Sequence, residues 1–203
     1  MSGKPPAATD PRVKWNNRYA APSSVPFPDT PAEWLVEHRS LLVPKAAGGR
    51  ALDVACGDGR NARYLAELGF AVDAVDISDL VIDRLKAVAM TLDLSVSPRI
   101  ADLENGAGLP AGEYDVVVNF NYLHRPLFDG LARALRPGGL LLFETFARPH
   151  VDDLGRRFRP EFVLGANELL LAFAGLHVRH YFEGVVSRSG EPRGVASLVA
   201  ERR

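Results

Sequence analysis

A mostly parallel α/β fold is predicted by three features of this sequence. Short apolar runs alternate with amphipathic stretches between about residues 50 and 146. A glycine-bearing turn, Cys56-Gly57-Asp58-Gly59, follows the first of those runs. Two β-like runs close the chain with no helix-length segment between them. Strands that alternate with helices pair in parallel through right-handed crossovers, whereas two runs joined by a short turn pair antiparallel.

Each element has a local reason. Residues 50–55 read as a buried strand, and residues 61–68 as a helix closed by Gly69. Residues 71–76 form a second strand and 79–90 a second helix. Residues 96–101 form a weaker third strand, interrupted by Pro98. Three consecutive valines mark a strand at 114–120. A helix is expected over 127–135, a turn at Arg136-Pro137-Gly138-Gly139, and a fifth strand over 140–146. A helix over 167–173 then leads into β-like runs at 177–187 and 195–201. The fold class is therefore α/β: a Rossmann-like, doubly wound sheet of seven strands, mostly parallel, with a C-terminal antiparallel hairpin.

Two regions follow along the chain. Residues 1–30 are polar and proline-rich and read as an arm or lid, and residues 31–203 as the folded domain. Trp15 and Tyr19 are large for a linker, so the arm has somewhere to dock. Thr30-Pro31-Ala32-Glu33 has the pattern of a capping box with proline at the first helical position.

Composition excludes several functions. At 203 residues, one domain is expected. The formal net charge is −1, so no basic excess is available for a phosphate backbone and nucleic acid is a poor default partner. A single cysteine, Cys56, leaves no internal disulfide or thiolate zinc cage, and no metal is called for. No stretch has the length and apolarity of a membrane span or a signal peptide core, so a cytoplasmic protein is expected. Oligomeric state is left open.

The chemistry centres on the glycine turn. A strand that turns sharply into a helix while its backbone approaches a ligand needs glycine, here Gly57 and Gly59. Asp76 ends the second strand about 20 residues later, where a carboxylate accepts from ribose hydroxyls. Nicotinamide-dependent enzymes share this spacing. Against them stand the C-terminal hairpin and Asp53 inside the first strand, where a buried carboxylate needs a partner.

The segment LDVACGDGRNARYLAELGFAVDAVDIS resembles the cofactor-binding region of class I S-adenosylmethionine-dependent methyltransferases. More narrowly, CGDGRNARYLA followed by VDAVD is similar to bacterial tellurite-resistance methyltransferases. The resemblance spans roughly residues 50 to 186, with Trp15-Asn16-Asn17-Arg18-Tyr19 like that family's N-terminal lid element. It implies S-adenosylmethionine as cofactor and S-adenosylhomocysteine as product. It implies that Asp53 and the turn from Cys56 through Gly57 to Gly59 face the methionine moiety, that Asp76 binds the ribose, and that Ile77 packs on the adenine. Asp102 would accept from the adenine amino group, the Leu103 amide would meet the ring edge, Asn119 and Asn121 would flank the sulfonium, and Arg18 would fold over the site.

The acceptor is expected outside the carboxyl ends of the fourth and fifth strands. Tyr122, His124 and Arg125, with Arg148 and His150, form a candidate catalytic and anion-binding cluster, and Arg18 and Tyr19 cover it. His124 is the candidate general base. The expected activity is methyl transfer to a small anionic molecule. The alternatives are a nucleic-acid or protein methyltransferase, or a non-catalytic S-adenosylmethionine-binding module. Asn119-Phe120-Asn121-Tyr122 lacks the two prolines of the Asn/Asp-Pro-Pro-aromatic motif of amino-methylating nucleic-acid enzymes.

Overall fold

The strands carry apolar residues on both faces, and the fold buries both. In a computed structural model describing residues 10–21, 29–106, 108–188 and 190–203, seven strands form one sheet: β1 (Arg50–Val54), β2 (Ala71–Asp76), β3 (Val96–Ile100), β4 (Tyr114–Phe120), β5 (Leu135–Phe146), β6 (His177–Arg188) and β7 (Glu191–Glu201). The helices are α1 (Pro11–Ala20), α2 (Glu33–Glu37), α3 (Arg39–Ala46), α4 (Arg60–Glu67), α5 (Asp79–Thr91), α6 (Phe128–Ala134), α7 (Arg148–Asp152) and α8 (Glu168–Ala172). The strand order is β3-β2-β1-β4-β5-β7-β6. The pairs from β3 through β5 are parallel, and β7 runs antiparallel to both β5 and β6.

Successive side chains of a strand point to opposite faces, and the two cores follow that alternation. Ala51, Val116, Val118, Leu140 and Leu142 pack on one face with Leu35, Leu42, Leu65 and Leu85 from α2 to α5. Leu52, Val117, Leu141 and Phe143 pack on the other with Leu131 of α6 and Leu169 of α8. Phe70, Phe143 and Tyr114 are fully buried. Each side chain of this size contributes about 1.5–3 kcal/mol by leaving water. Among the described residues, no helix is long and apolar enough to cross a membrane.

Three local features differ from expectation. Pro98 does not interrupt β3, because β3 is the sheet's edge and its outer side needs no ladder donor. The Thr30 capping box does not form: α2 begins at Glu33, and the Asn61 side-chain oxygen accepts from the Ala32 amide at 2.9 Å. The short α7, absent from the sequence reading, packs against the start of β7.

That last contact fixes one glycine. A Cβ on Gly194 would stand 1.8 Å from the His150 amide nitrogen, and the Gly194 amide instead donates to His150 Nδ1 at 3.2 Å. Gly194→Ala is expected to destabilise the protein by about 3 kcal/mol through overpacking. Gly175→Ala, which meets nothing within 4 Å, should stay within about 0.5 kcal/mol. Urea denaturation of the two variants checks this, and equal midpoints would contradict it.

Candidate functional site

The parallel strands end on one side of the sheet, and antiparallel β7 begins on that same side, with Val195 opposite Phe146. A cavity of about 840 Å³ runs across these ends. One end is walled by the loop after β1 and by the tips of β2 and β3. The other is walled by the tips of β4 and β5 and the start of β7.

At the first end, backbone geometry is set by a left-handed stretch. Ala55, Gly57 and Gly59 have φ of 53°, 54° and 77°. This conformation costs an alanine about 1–2 kcal/mol, an outlay typical of ligand-facing loops. Gly59 has a second reason to be glycine, since a Cβ there would lie 2.4 Å from a Leu85 methyl carbon. The Cys56 amide donates to the Val75 carbonyl at 2.9 Å, which returns the loop to β2.

Asp76 completes the loop. Its carboxylate accepts from the Gly57 amide and from the Ser78 amide, each at 2.9 Å. The residue is buried at the cavity wall, and burial pushes its carboxyl up while the Ser78, Gly57 and Ile77 amides oppose the shift. Ile77, Asp102 and Leu103 continue the same wall, and the Asp102 carboxylate accepts from the Glu104 amide at 2.9 Å. Cys56 also lines the cavity, with a thiol held well above its ordinary range, chiefly by burial.

Helix α1 covers this end. Asn16 bonds both Asp79 and Ser78, each at 2.6 Å, at the N-terminus of α5. Tyr19 and Arg18 line the cavity, and Arg18 stacks on Trp15 at 5.3 Å. A Cβ on Gly57 would come within 3.0 Å of the Tyr19 hydroxyl. Burial, then the charge of Asp76, hold that hydroxyl far above its ordinary range, so Tyr19 stays protonated.

Two buried carboxylates in neighbouring strands behave differently. Asp73 is met by Arg50 at 2.8 Å, by the Tyr114 hydroxyl at 3.0 Å and by Arg99. At Asp53 burial pushes the carboxyl up to about 7, with the Ala62 amide opposing the shift, and Oδ2 has no hydrogen-bond partner among the described residues. Asp53 does not line the cavity; it sits buried within β1, behind the wall that Ala55 and Cys56 form.

The expected acceptor cluster is only partly assembled. Tyr122 lines the cavity and donates to Glu104 at 3.3 Å, and burial and that carboxylate push its hydroxyl far up. His124 and Arg125 do not line it. Arg125 is held by Glu168 at 2.6 Å and 3.0 Å and by the Val163 carbonyl at 2.9 Å, so its charge secures the α8 region. His124 precedes the 3-10 turn Arg125–Leu127. Arg148 pairs with Asp152 at 2.9 Å, and His150 is buried against Phe146 and Gly194. Asn119 is also off the wall, its amide donating to the Tyr122 carbonyl at 2.8 Å. Asn121, with φ of 57°, does line it.

Sequence reasoning missed the residues that form the other end. These are Arg60, Arg193, Phe158 and Phe162, with Thr145 and Phe146 at the tip of β5. Arg193 lay inside the expected hairpin turn. The signal available was Gly194, a glycine within a strand pattern, which marks a close backbone approach.

The fold is that of class I methyltransferases. Residues 51–139 match the family described as "Methyltransferase domain". The ubiquinone biosynthesis O-methyltransferase of Xanthomonas oryzae pv. oryzae is 32% identical over 107 residues, covering 50% of this chain and 45% of that protein. The chain thus matches less than half the length of that relative. TehB from Haemophilus influenzae superposes with a TM-score of 0.71 at 19% identity, covering 95% of this chain and 67% of that one. Magnesium protoporphyrin IX methyltransferase (ChlM) from Synechocystis PCC 6803, solved with bound SAH, superposes at 0.63 with 18% identity, over 84% and 80%. Residues 51–139 are thus similar to a methyltransferase domain, and the whole chain shares the fold of the solved methyltransferase structures.

Asp53 generates a pH prediction. Its folded carboxyl lies near 7 and its unfolded one near the usual ~3.9. The folded state therefore holds the proton more tightly. Stability from this group is fully present below about 4 and is lost as pH rises to about 7. The loss is on the order of 4 kcal/mol. Asp53→Asn should remove this slope, so the variant's stability relative to wild type rises between pH 4 and pH 8. Denaturant melts across that range test it, and parallel curves would contradict it.

Proposed function

We propose that this chain transfers the methyl group of S-adenosylmethionine to a small, anionic acceptor. The observation that carries this reading is a cavity with two chemically different ends: a loop and carboxylates at one, arginines and phenyl rings at the other. A volume of about 840 Å³ is towards the upper end of small-molecule sites, which run to roughly 1,000 Å³.

The residues present fit the cofactor. Asp76 presents a buried carboxylate whose bonds among the described residues come from backbone amides, leaving lone pairs for a diol. Asp76 would hold the ribose, Ile77 and Leu103 would pack on the adenine, and Asp102 would accept from its amino group. Gly57 and Gly59 keep the loop backbone close, with Cys56 beside it. When bound, S-adenosylmethionine supplies an electrophilic methyl on a sulfonium and leaves as S-adenosylhomocysteine.

The chain's own work is alignment and exclusion of water. Helix α1, with Arg18 and Tyr19, acts as a lid, latched by Asn16 to α5; the rest of the expected arm, residues 1–9 and 22–28, lies outside the described residues. Tyr122 supplies a neutral hydroxyl near the acceptor. Neither His124 nor Arg125 carries a step, and an acceptor already anionic at neutral pH needs no base.

Titration calorimetry with S-adenosylmethionine and S-adenosylhomocysteine tests the reading. Both should bind saturably, and Asp76→Asn, which keeps an accepting oxygen for the loop, should weaken both at least about tenfold, a loss of about 1.4 kcal/mol. Failure of folded wild-type protein to bind either ligand would overturn it. The lid has its own test. Asn16→Ala should speed amide exchange across residues 11–20 without moving the thermal midpoint by more than about 2 °C, and unchanged exchange would contradict the latch.

A further inference from the structure

Two arginines face the far end of the cavity without an ion pair among the described residues. The Arg193 side chain has no hydrogen bond or ion pair to any described residue, and its guanidinium lies 5.9 Å from the Phe146 ring centre. Arg60 donates to the Thr30 carbonyl at 3.1 Å and forms no ion pair among the described residues. Both line the main cavity and a small recess that adjoins it. Their charges oppose one another: burial holds Arg60 below its ordinary range, Asp53 resists this, and Arg193 adds to it.

Two carboxylates also line the recess, and both are engaged: Glu33 pairs with Arg188 at 3.5 Å, and Glu144 is held more closely. It accepts from Arg188 at 2.9 Å and from the Ser197 hydroxyl at 2.7 Å. Two partly desolvated guanidiniums that form no ion pair among the described residues make a site for an anion, which a carboxylate fits in bidentate geometry.

The wall beside them is aromatic. Phe146 stacks at 4.7 Å from Phe158, and His150 meets Phe158 edge-on at 5.5 Å behind the wall. Phe158 and Phe162 remain 38% and 40% exposed, large for phenyl rings, and both turn towards the cavity. Apolar rings left open beside a cavity are surface that a ligand covers. A bare inorganic oxyanion would satisfy the arginines and leave these rings wet.

The geometry points to a planar aromatic carboxylate as the acceptor class, its carboxylate on Arg60 and Arg193 and its ring against Phe146, Phe158 and Phe162. This deepens the methyl-transfer reading and rests on it for the word acceptor, while the binding site stands on its own residues. Asp76 in β2 and Arg193 in β7 are four strand positions apart in the sheet order, roughly 19 Å at about 4.8 Å per strand. The anion site therefore lies well beyond the ribose carboxylate, leaving the middle of the cavity for the reacting groups.

The test is calorimetry of 2-naphthoate, benzoate, benzamide, acetate and tellurite, first with the protein alone and then with S-adenosylhomocysteine present. Naphthoate and benzoate should bind at least tenfold tighter than benzamide, acetate and tellurite. Arg193→Gln should remove the advantage over benzamide, and Phe158→Ala, at a half-exposed position, should remove the advantage over acetate. Tellurite binding without the aromatic acids, equal binding of benzoate and benzamide, or unchanged affinities in both variants would overturn the inference. Absence of S-adenosylhomocysteine binding with naphthoate binding intact would instead overturn the methyl-transfer reading and leave this site standing.

Discussion

The Asp76 carboxylate, held between the Gly57 and Ser78 amides, ties together the elements at one end of the cavity. It joins the tip of β2 to the loop after β1 and to the residue that caps α5. Ser78 then passes the connection on, since its hydroxyl meets Asn16 of α1 and accepts from Val81 within α5. A carboxylate this buried would be costly without donors. The amides that relieve it are the ones that place the loop against the cavity and the lid above it. Ligand geometry and local stability therefore share the same few hydrogen bonds.

Charge is arranged along the cavity in the same sense as the sheet. Asp76, Asp102 and Glu104 stand at the tips of β2 and β3, and Arg60 and Arg193 gather at the far end. Partly buried groups are screened less by salt than surface pairs. A bound molecule would experience opposite potentials at its two ends. Arg125 and Arg188 take no part in this, because each is neutralised by its own carboxylates.

Much of this was legible in the sequence for a physical reason. Strands buried on both faces read as apolar runs, so β1, β2, β4 and the buried half of β5 fall where the residues suggest. The turn with Gly57 and Gly59, and Asp76 after it, are local patterns that need no tertiary knowledge. The acceptor end was harder to read. Arg125 looks like a free cation until Glu168, 43 residues on, folds beside it. His150 looks like an acceptor ligand until Gly194 closes over it. Arg193 reaches the cavity only because β7 enters the sheet between β5 and β6, a long-range choice that hairpin composition does not encode.

The central claim is that Asp76 and the Gly57 loop hold a nucleoside at the tips of β1, β2 and β3. A crystal structure of the protein with S-adenosylhomocysteine tests it most directly. The account predicts ribose hydroxyls on the Asp76 carboxylate, adenine between Ile77 and Leu103, and the homocysteine end along the loop. Ligand density elsewhere on the molecule, with Asp76 facing solvent, would contradict it.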